Sequence, residues 1–269
     1  MLQSLTFMNP SQLTAIEELT FFQCKNLKLI ELPGNVASIA GSAFQECSSL
    51  QRVTFASQSN LKTIGAGSFL SCSTLEYIQF DRCPNLQSIS DNCFKECIRL
   101  GSITIPKRVS SIGVSSFAGC VQLNKVSIQV DAELESIGAS AFYGCRLLSS
   151  FVFPHKLRSI GTSCFVESGL SGHAVLPASV QSVGDNAFVS TSILTITYCG
   201  NSDLSGVSAF NYHISAFAPY YYQQETMLGL SVDRRLNESC QLMTPLLTPL
   251  DANRFLVAML PIMDSAEGG

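Results

Sequence analysis

Apolar and polar positions along this chain follow one schedule that restarts every 23 or 25 residues. Its anchor is a phrase with an apolar residue at the start, phenylalanine near the middle and usually cysteine at the end. The copies are IEELTFFQC from Ile16, IAGSAFQEC from Ile39, IGAGSFLSC from Ile64, ISDNCFKEC from Ile89, IGVSSFAGC from Ile112, IGASAFYGC from Ile137, IGTSCFVES from Ile160 and VGDNAFVST from Val183. Their phenylalanines fall at 21, 44, 69, 94, 117, 142, 165 and 188. A fixed period of this size predicts a solenoid, in which a repeat has no core of its own and buries its apolar side against its neighbours. Such a molecule offers an extended surface in place of an enclosed pocket.

Two further patterns lie between the phrases. The first is Leu-x-x-apolar-x-apolar, as in Leu27/Ile30/Leu32, Leu50/Val53/Phe55, Leu75/Ile78/Phe80, Leu100/Ile103/Ile105, Leu123/Val126/Ile128 and Leu148/Phe151/Phe153. Its final alternation predicts a short strand with one buried face, and stacking coil on coil makes these strands a parallel sheet. The second, in VASI (Val36–Ile39), LKTI (Leu61–Ile64), VSSI (Val109–Ile112) and LRSI (Leu157–Ile160), predicts another short extended segment on a different side. The AF-x-x-C stretch then supplies a turn, expected as a single helical or 3₁₀ turn. Pro33, Pro106, Pro154 and Pro177 directly follow the strand in the 23-residue repeats, where a fixed φ and a missing donor stop it. The 25-residue repeats carry ASQSN, DRCPN or QVDAE at that corner, expected as a bulge on one edge. About eight to nine coils with strands ~4.8 Å apart give a rod or arc roughly 40 Å long.

The expected division is a solenoid over 1–217 and a non-repeat cap or tail over 218–269. The tail holds a Tyr run at 220–222, several prolines and DANRFLVAML (251–260), expected as a short helix capped by Asp251. Leu2, Leu5 and Phe7 already occupy strand positions of a first repeat, so the chain starts in mid-coil without a polar capping unit. The expectation is a fragment, an incomplete gene model, or an end that something else covers. No basic start followed by an apolar run marks a secretory leader. The most apolar region, 240–263, is broken by Pro245, Pro249, Pro261, Asp251 and Arg254, so no transmembrane segment is expected. Charged residues make up only 13% of the chain, which fits repeats that bury much of themselves, and the net charge of −4 leaves no basic footprint for nucleic acid.

The recurrence of LxxIxIP, SVxSIG and AFxGC over about Leu2 to Phe210 resembles the BspA-type leucine-rich repeats, known from bacterial surface proteins and some parasitic protists. The resemblance implies a repeat solenoid of leucine-rich-repeat type with a parallel β-sheet on one face and short β or 3₁₀ segments on the others. It further implies a non-enzymatic binding scaffold, at the cell surface or secreted, used in attachment to host proteins, matrix or other cells. The repeats decay towards the end: Ser168 and Thr191 replace the terminal Cys, and the AF phrase survives as VSAF (207–210) and ISAF (214–217).

The eleven cysteines invite a chemical reading. Six of them, Cys24, Cys47, Cys72, Cys97, Cys120 and Cys145, sit three residues after the repeat phenylalanine and predict a ladder inside the core. The odd total and the Ser and Thr in the same column favour free thiols. Cys93 and Cys164 precede the phenylalanine and are expected in the core too, whereas Cys83, Cys199 and Cys240 fall outside the columns and are expected to be more accessible. No cluster has zinc-ligand spacing, no catalytic constellation stands out among His155, His173 and His213, and no cofactor is expected. The glycines at 65, 113, 138, 161 and 184 are expected to serve a bend at the coil corner.

Partner binding is expected on the sheet face, where alternate residues point to solvent. Arg52, Tyr77 and Gln79, on adjacent coils, form its most specific patch, since Arg and Tyr are enriched among interface anchors. Thr54, Thr104, Lys125 and Ser127 extend the same face, although Thr and Ser are also ordinary strand-surface residues. The expected partner is a protein or glycan. Two rivals remain: an intracellular, cytoplasmic scaffold of the same fold, and an enzyme using an accessible cysteine such as Cys199 near His213.

Overall fold

The computed structural model describes residues 3–7, 11–204, 208–210, 215–217, 226–227 and 230–233, and shows a parallel β-solenoid. Its first wall begins with Ser4–Leu5, Leu29–Leu32, Arg52–Phe55 and Tyr77–Ile78, hydrogen-bonded in that order. Ser102–Ile105 and Lys125–Ile128 form a second ladder on the same side. A third contains Ser171–Leu176, Ser192–Tyr198, Ser215–Phe217 and Leu230–Asp233, so the parallel sheet continues past residue 217. The predicted helix over 251–260 lies outside the described residues. The second wall is a run of two-residue strands at the predicted positions, among them Ser38–Ile39, Thr63–Ile64, Ser111–Ile112, Ser136–Ile137 and Ser159–Ile160.

Alternation places the apolar residues inside. In Leu29–Leu32, Ile30 and Leu32 are buried while Leu29 and Glu31 face out, and Leu5, Ile30, Val53 and Ile78 align in register. One coil encloses Leu50, Val53, Phe55, Leu61, Ile64 and Phe69. Each such side chain stabilises by about 1.5–3 kcal/mol when removed from water. A lone coil would leave one side of each exposed, so the repeat folds only as a stack. Ion pairs contribute little beside this: Arg99–Glu76 at 3.9 Å and Arg158–Glu135 at 3.7 Å are exposed, a setting in which a pair is worth about 0–1 kcal/mol.

The AF stretch is neither α-helical nor 3₁₀. It is a double turn whose amides alternate between partners. Cys47 N donates to Phe44 O within the coil, while Phe44 N donates to Ser68 O of the next coil at 2.7 Å. This third ladder requires two left-handed residues per coil, such as Ser115 (φ 53°) with Gly119 (φ 74°) and Asn92 (φ 53°) with Glu96 (φ 63°). Among the described residues the sole helical segment is a 3₁₀ turn at Phe80–Arg82, in the DRCPN corner of a 25-residue repeat. It cuts the predicted strand to Tyr77–Ile78 and separates the first ladder from the second.

Two other expectations are corrected. Leu148–Phe153 forms no strand. Phe151 and Phe153 fill its inward positions, and the Phe151 ring packs 5.3 Å from both Phe142 and Phe165. The strand Lys125–Ile128 accordingly pairs only with Ser102–Ile105 among the described residues, and Val126 and Ile128 are half-buried. The glycine column does not serve a bend either, for none of the five has positive φ. A Cβ on Gly138 would come within 2.6 Å of Val114 N, and one on Gly113 within 2.5 Å of Asp91 N. Close approach between coils is what excludes a side chain there.

The axis of the molecule is a column of phenylalanines at 21, 44, 69, 94, 117, 142, 165, 188 and 210, each stacked on the next with centroids 4.9–5.6 Å apart. That spacing follows the coil repeat, so the offset-stacked geometry preferred by aromatic pairs is available at every step.

Candidate functional site

On the outer face of the first wall, Arg52 and Tyr77 are directly opposed in the ladder. The Arg52 guanidinium carbon lies 5.6 Å from the centroid of the Tyr77 ring. A cation over an aromatic face at an exposed site is worth about 0.5–1 kcal/mol and limits the rotamers of the arginine. Burial raises the Tyr77 hydroxyl pKa, and Asp81 adds to the rise while Arg52 and Arg82 oppose it. Among the described residues Arg52 has no acidic group at ion-pair distance, so its donors remain available. Leu29 precedes Arg52 in the same column and is 47% exposed.

The other predicted face residues fall into two groups. Thr54 is half-buried on the Arg52 strand, its hydroxyl 3.5 Å from Ile30 O. Gln79 follows Tyr77–Ile78 at the lip of the 3₁₀ turn, where its amide donates to Val53 O, so it borders the pair without continuing the strand. Thr104, Lys125 and Ser127 belong to the second ladder, with Thr104 opposite Ser127 and Lys125 opposite Ser102. The face is therefore one surface built on two ladders, not one unbroken sheet.

Two features were missed in the sequence. His173 Nδ1 lies 2.5 Å from Thr195 Oγ1 and its Nε2 3.4 Å from Thr197 Oγ1. Desolvation lowers its pKa. The pairing skips Leu194, running from Gly172–Ile193 to His173–Thr195, and this extra residue in the neighbouring strand, which a fixed offset does not register, brings Thr195 opposite His173. A shallow trough of about 550 Å3 also runs along the second wall over Ser111, Ser136, Ser159 and Ser182, with Gly113 and Gly138 in its floor.

The cysteines form the predicted core ladder with an added role. Five of its six thiols donate to the phenylalanine carbonyl of the preceding coil: Cys47 to Phe21 O at 3.0 Å, Cys72 to Phe44 O at 3.0 Å, Cys97 to Phe69 O at 3.2 Å, Cys120 to Phe94 O at 3.0 Å and Cys145 to Phe117 O at 3.2 Å. Thr191 stands in this column with a different bond, its hydroxyl donating to Phe188 O of its own coil at 2.8 Å. Ser168 keeps a buried hydroxyl without a partner among the described residues.

Among the described residues nine cysteines are free, and all but Cys24 are buried. The greater accessibility expected outside the columns is not found, because Cys83 is fully enclosed and Cys199 is 4% exposed and disulfide-bonded. Cys240 and His213 lie outside the described residues. Burial pushes the Cys83 and Cys145 thiols up to about 12, and raises Cys72 and Cys120 strongly. Cys47 is lowered by the Cys72 thiol beside it, but its sulfur is enclosed. The thiolate is the reactive form. Iodoacetamide at pH 8 with peptide mapping is therefore expected to label Cys24 in the native protein and the eight buried free cysteines only after denaturation. Rapid labelling of any of these in the native state would refute the packing.

These observations define a class: a leucine-rich-repeat β-solenoid with a flat, partly cationic sheet face. The match to BspA type leucine-rich repeats spans residues 2–124 and 87–216, and the chain belongs to that family. No curated protein matches it. Among solved structures it is similar to a leucine-rich cell surface protein from Faecalibacterium prausnitzii A2-165, at 22% identity over 79% of this chain and 68% of that one, TM-score 0.56. It is also similar to a leucine-rich repeat protein from Bacteroides ovatus ATCC 8483, at 21% identity over 89% and 72%, TM-score 0.50. Among the described residues no helix is long and apolar enough to cross a membrane.

Proposed function

We propose that this protein is a non-catalytic attachment module whose first-wall face holds a protein or glycan of another cell or its matrix. The observation that carries the reading is the Arg52–Tyr77 pair, an exposed cation with no ion-pair partner among the described residues, set over an aromatic ring in a strand-built face. Anchors of this kind concentrate binding energy at the centre of interfaces. Family membership and the cell-surface relative support an extracellular setting. The enclosed thiols weigh against a cysteine-dependent enzyme.

The test is binding of the purified protein to a panel of immobilised extracellular-matrix proteins and glycans. Arg52→Glu with Tyr77→Ala is expected to reduce binding to its best ligand at least tenfold, whereas Lys156→Glu, at a corner away from the face, leaves it unchanged. Equal binding by all three proteins would move the site elsewhere.

A second reading, an intracellular scaffold of the same fold, draws on the nine free thiols, since reduced cysteines are the rule in the cytosol. Antibody labelling of intact and permeabilised source cells separates the two. Labelling of intact cells supports attachment, and labelling only after permeabilisation makes the scaffold the working function.

A further inference from the structure

The chain carries a net charge of −4, yet the two outward columns of the first wall from Arg52 to Ser127 hold two cations and no acid. Arg52 and Lys125 are both exposed, and neither has an acidic group at ion-pair distance among the described residues. They occupy the same column three coils apart, about 14 Å at the usual strand spacing. That exceeds the Debye length of about 8 Å at physiological ionic strength, so they act on separate groups of a ligand. Between them lie the hydroxyls and amide of Tyr77, Gln79, Ser102 and Thr104. Neither the trough over Ser111 and Ser136 of the second wall nor the hollow beside Phe7 and Pro33 is lined by residues of this stretch, whereas a protein partner would seat an anchoring side chain in such a hollow.

We infer that this stretch binds an extended acidic polysaccharide lying along the solenoid axis, its anionic groups at Arg52 and Lys125 and its sugar hydroxyls on the polar floor between them. This rests on the sheet-face reading above and narrows its ligand. Charge complementarity carries it: on an acidic protein the outward columns of this stretch carry cations alone, while the nearby acids lie beside them, Glu31 one coil earlier and Asp81 in the turn after Gln79, where Arg82 adjoins it. The cation–π contact also holds Arg52 in place before binding, which reduces the ordering cost.

Calorimetric titration of the whole protein with polygalacturonate, heparin, neutral dextran and poly-L-glutamate tests it. Polygalacturonate, heparin or both are expected to bind, according to whether carboxylate or sulfate is preferred. Dextran and poly-L-glutamate should bind at least tenfold more weakly. Arg52→Ala with Lys125→Ala should cost at least tenfold without altering the circular dichroism spectrum, and Lys156→Ala should not. Equal binding of poly-L-glutamate, indifference to the double variant, or no binding of either acidic glycan overturns the inference. In the last case, matrix binding that still depends on Arg52 and Tyr77 leaves the sheet-face reading standing, and its loss removes both.

Discussion

Phe117→Ala is expected to lower the unfolding free energy by about 3–5 kcal/mol, the range for deleting a fully buried aromatic side chain. Phe117 is completely enclosed and stacks on Phe94 at 5.3 Å and on Phe142 at 5.2 Å. A globular core can relax around a lost ring, but a solenoid has a set coil spacing. The cavity left at Phe117 would be bounded by two rings whose positions are tied to their own coils by three ladders. Its loss also weakens two inter-coil interfaces at once, and in a stack held by nearest-neighbour contacts such a fault divides the array. Urea unfolding followed by circular dichroism should show a lower midpoint and a broadened or split transition as the two halves uncouple. Phe21→Ala is the control, since Phe21 is half-buried and its described stacking partner is Phe44 alone. Its loss should be well under half as large. A Phe117→Ala effect below about 1 kcal/mol would show that the column follows the fold without supporting it.

The phenylalanine and cysteine columns were legible because stacking turns one offset in the sequence into one line in space. Ile16, Ile39 and Ile64 share a register for the same reason, and so do Arg52 and Tyr77, whose contact follows from adjacent coils carrying complementary residues at one position. What stayed hidden depends on distances between coils or on local phase. The left-handed positions are occupied by Ser42, Glu46, Asn92 and Glu96 as readily as by Gly119, so composition does not mark them. The strand break at Phe80 arises because an inserted corner turns a strand residue into the start of a 3₁₀ turn, while its apolar character still satisfies the strand pattern. Cys83 looked accessible because it sits outside the column, but the same corner folds it inward to full burial. Offsets report which side of the coil a residue occupies, and they do not report how near the next coil lies.

That last quantity is what Gly138→Val probes. Its expected cost is about 3 kcal/mol, at the upper end for overpacking. The obstruction is backbone, Val114 N at 2.6 Å and Gly113 C at 2.7 Å from a built Cβ, and backbone cannot rotate aside as a side chain can. Relief requires parting two coils across the second wall, which would stretch Gly138 N to Ile112 O, now 2.7 Å, and loosen the Phe117–Phe142 stack. Ser90, at the equivalent position of another coil, fits by bonding its hydroxyl to Ile64 O at 2.5 Å. Gly138→Ser should accordingly cost less than Gly138→Val. Gly101 provides the contrast, because a Cβ there meets nothing within 4 Å and its φ is ordinary. Gly101→Ala should be neutral or should stabilise by about 0.4–1 kcal/mol by reducing the freedom of the unfolded chain. Thermal unfolding of the three variants orders them as Gly101→Ala, Gly138→Ser and Gly138→Val from most to least stable if inter-coil approach is the reason for the column. A bend requirement would instead make Gly138→Ser as harmful as Gly138→Val, since any side chain resists a glycine-only backbone.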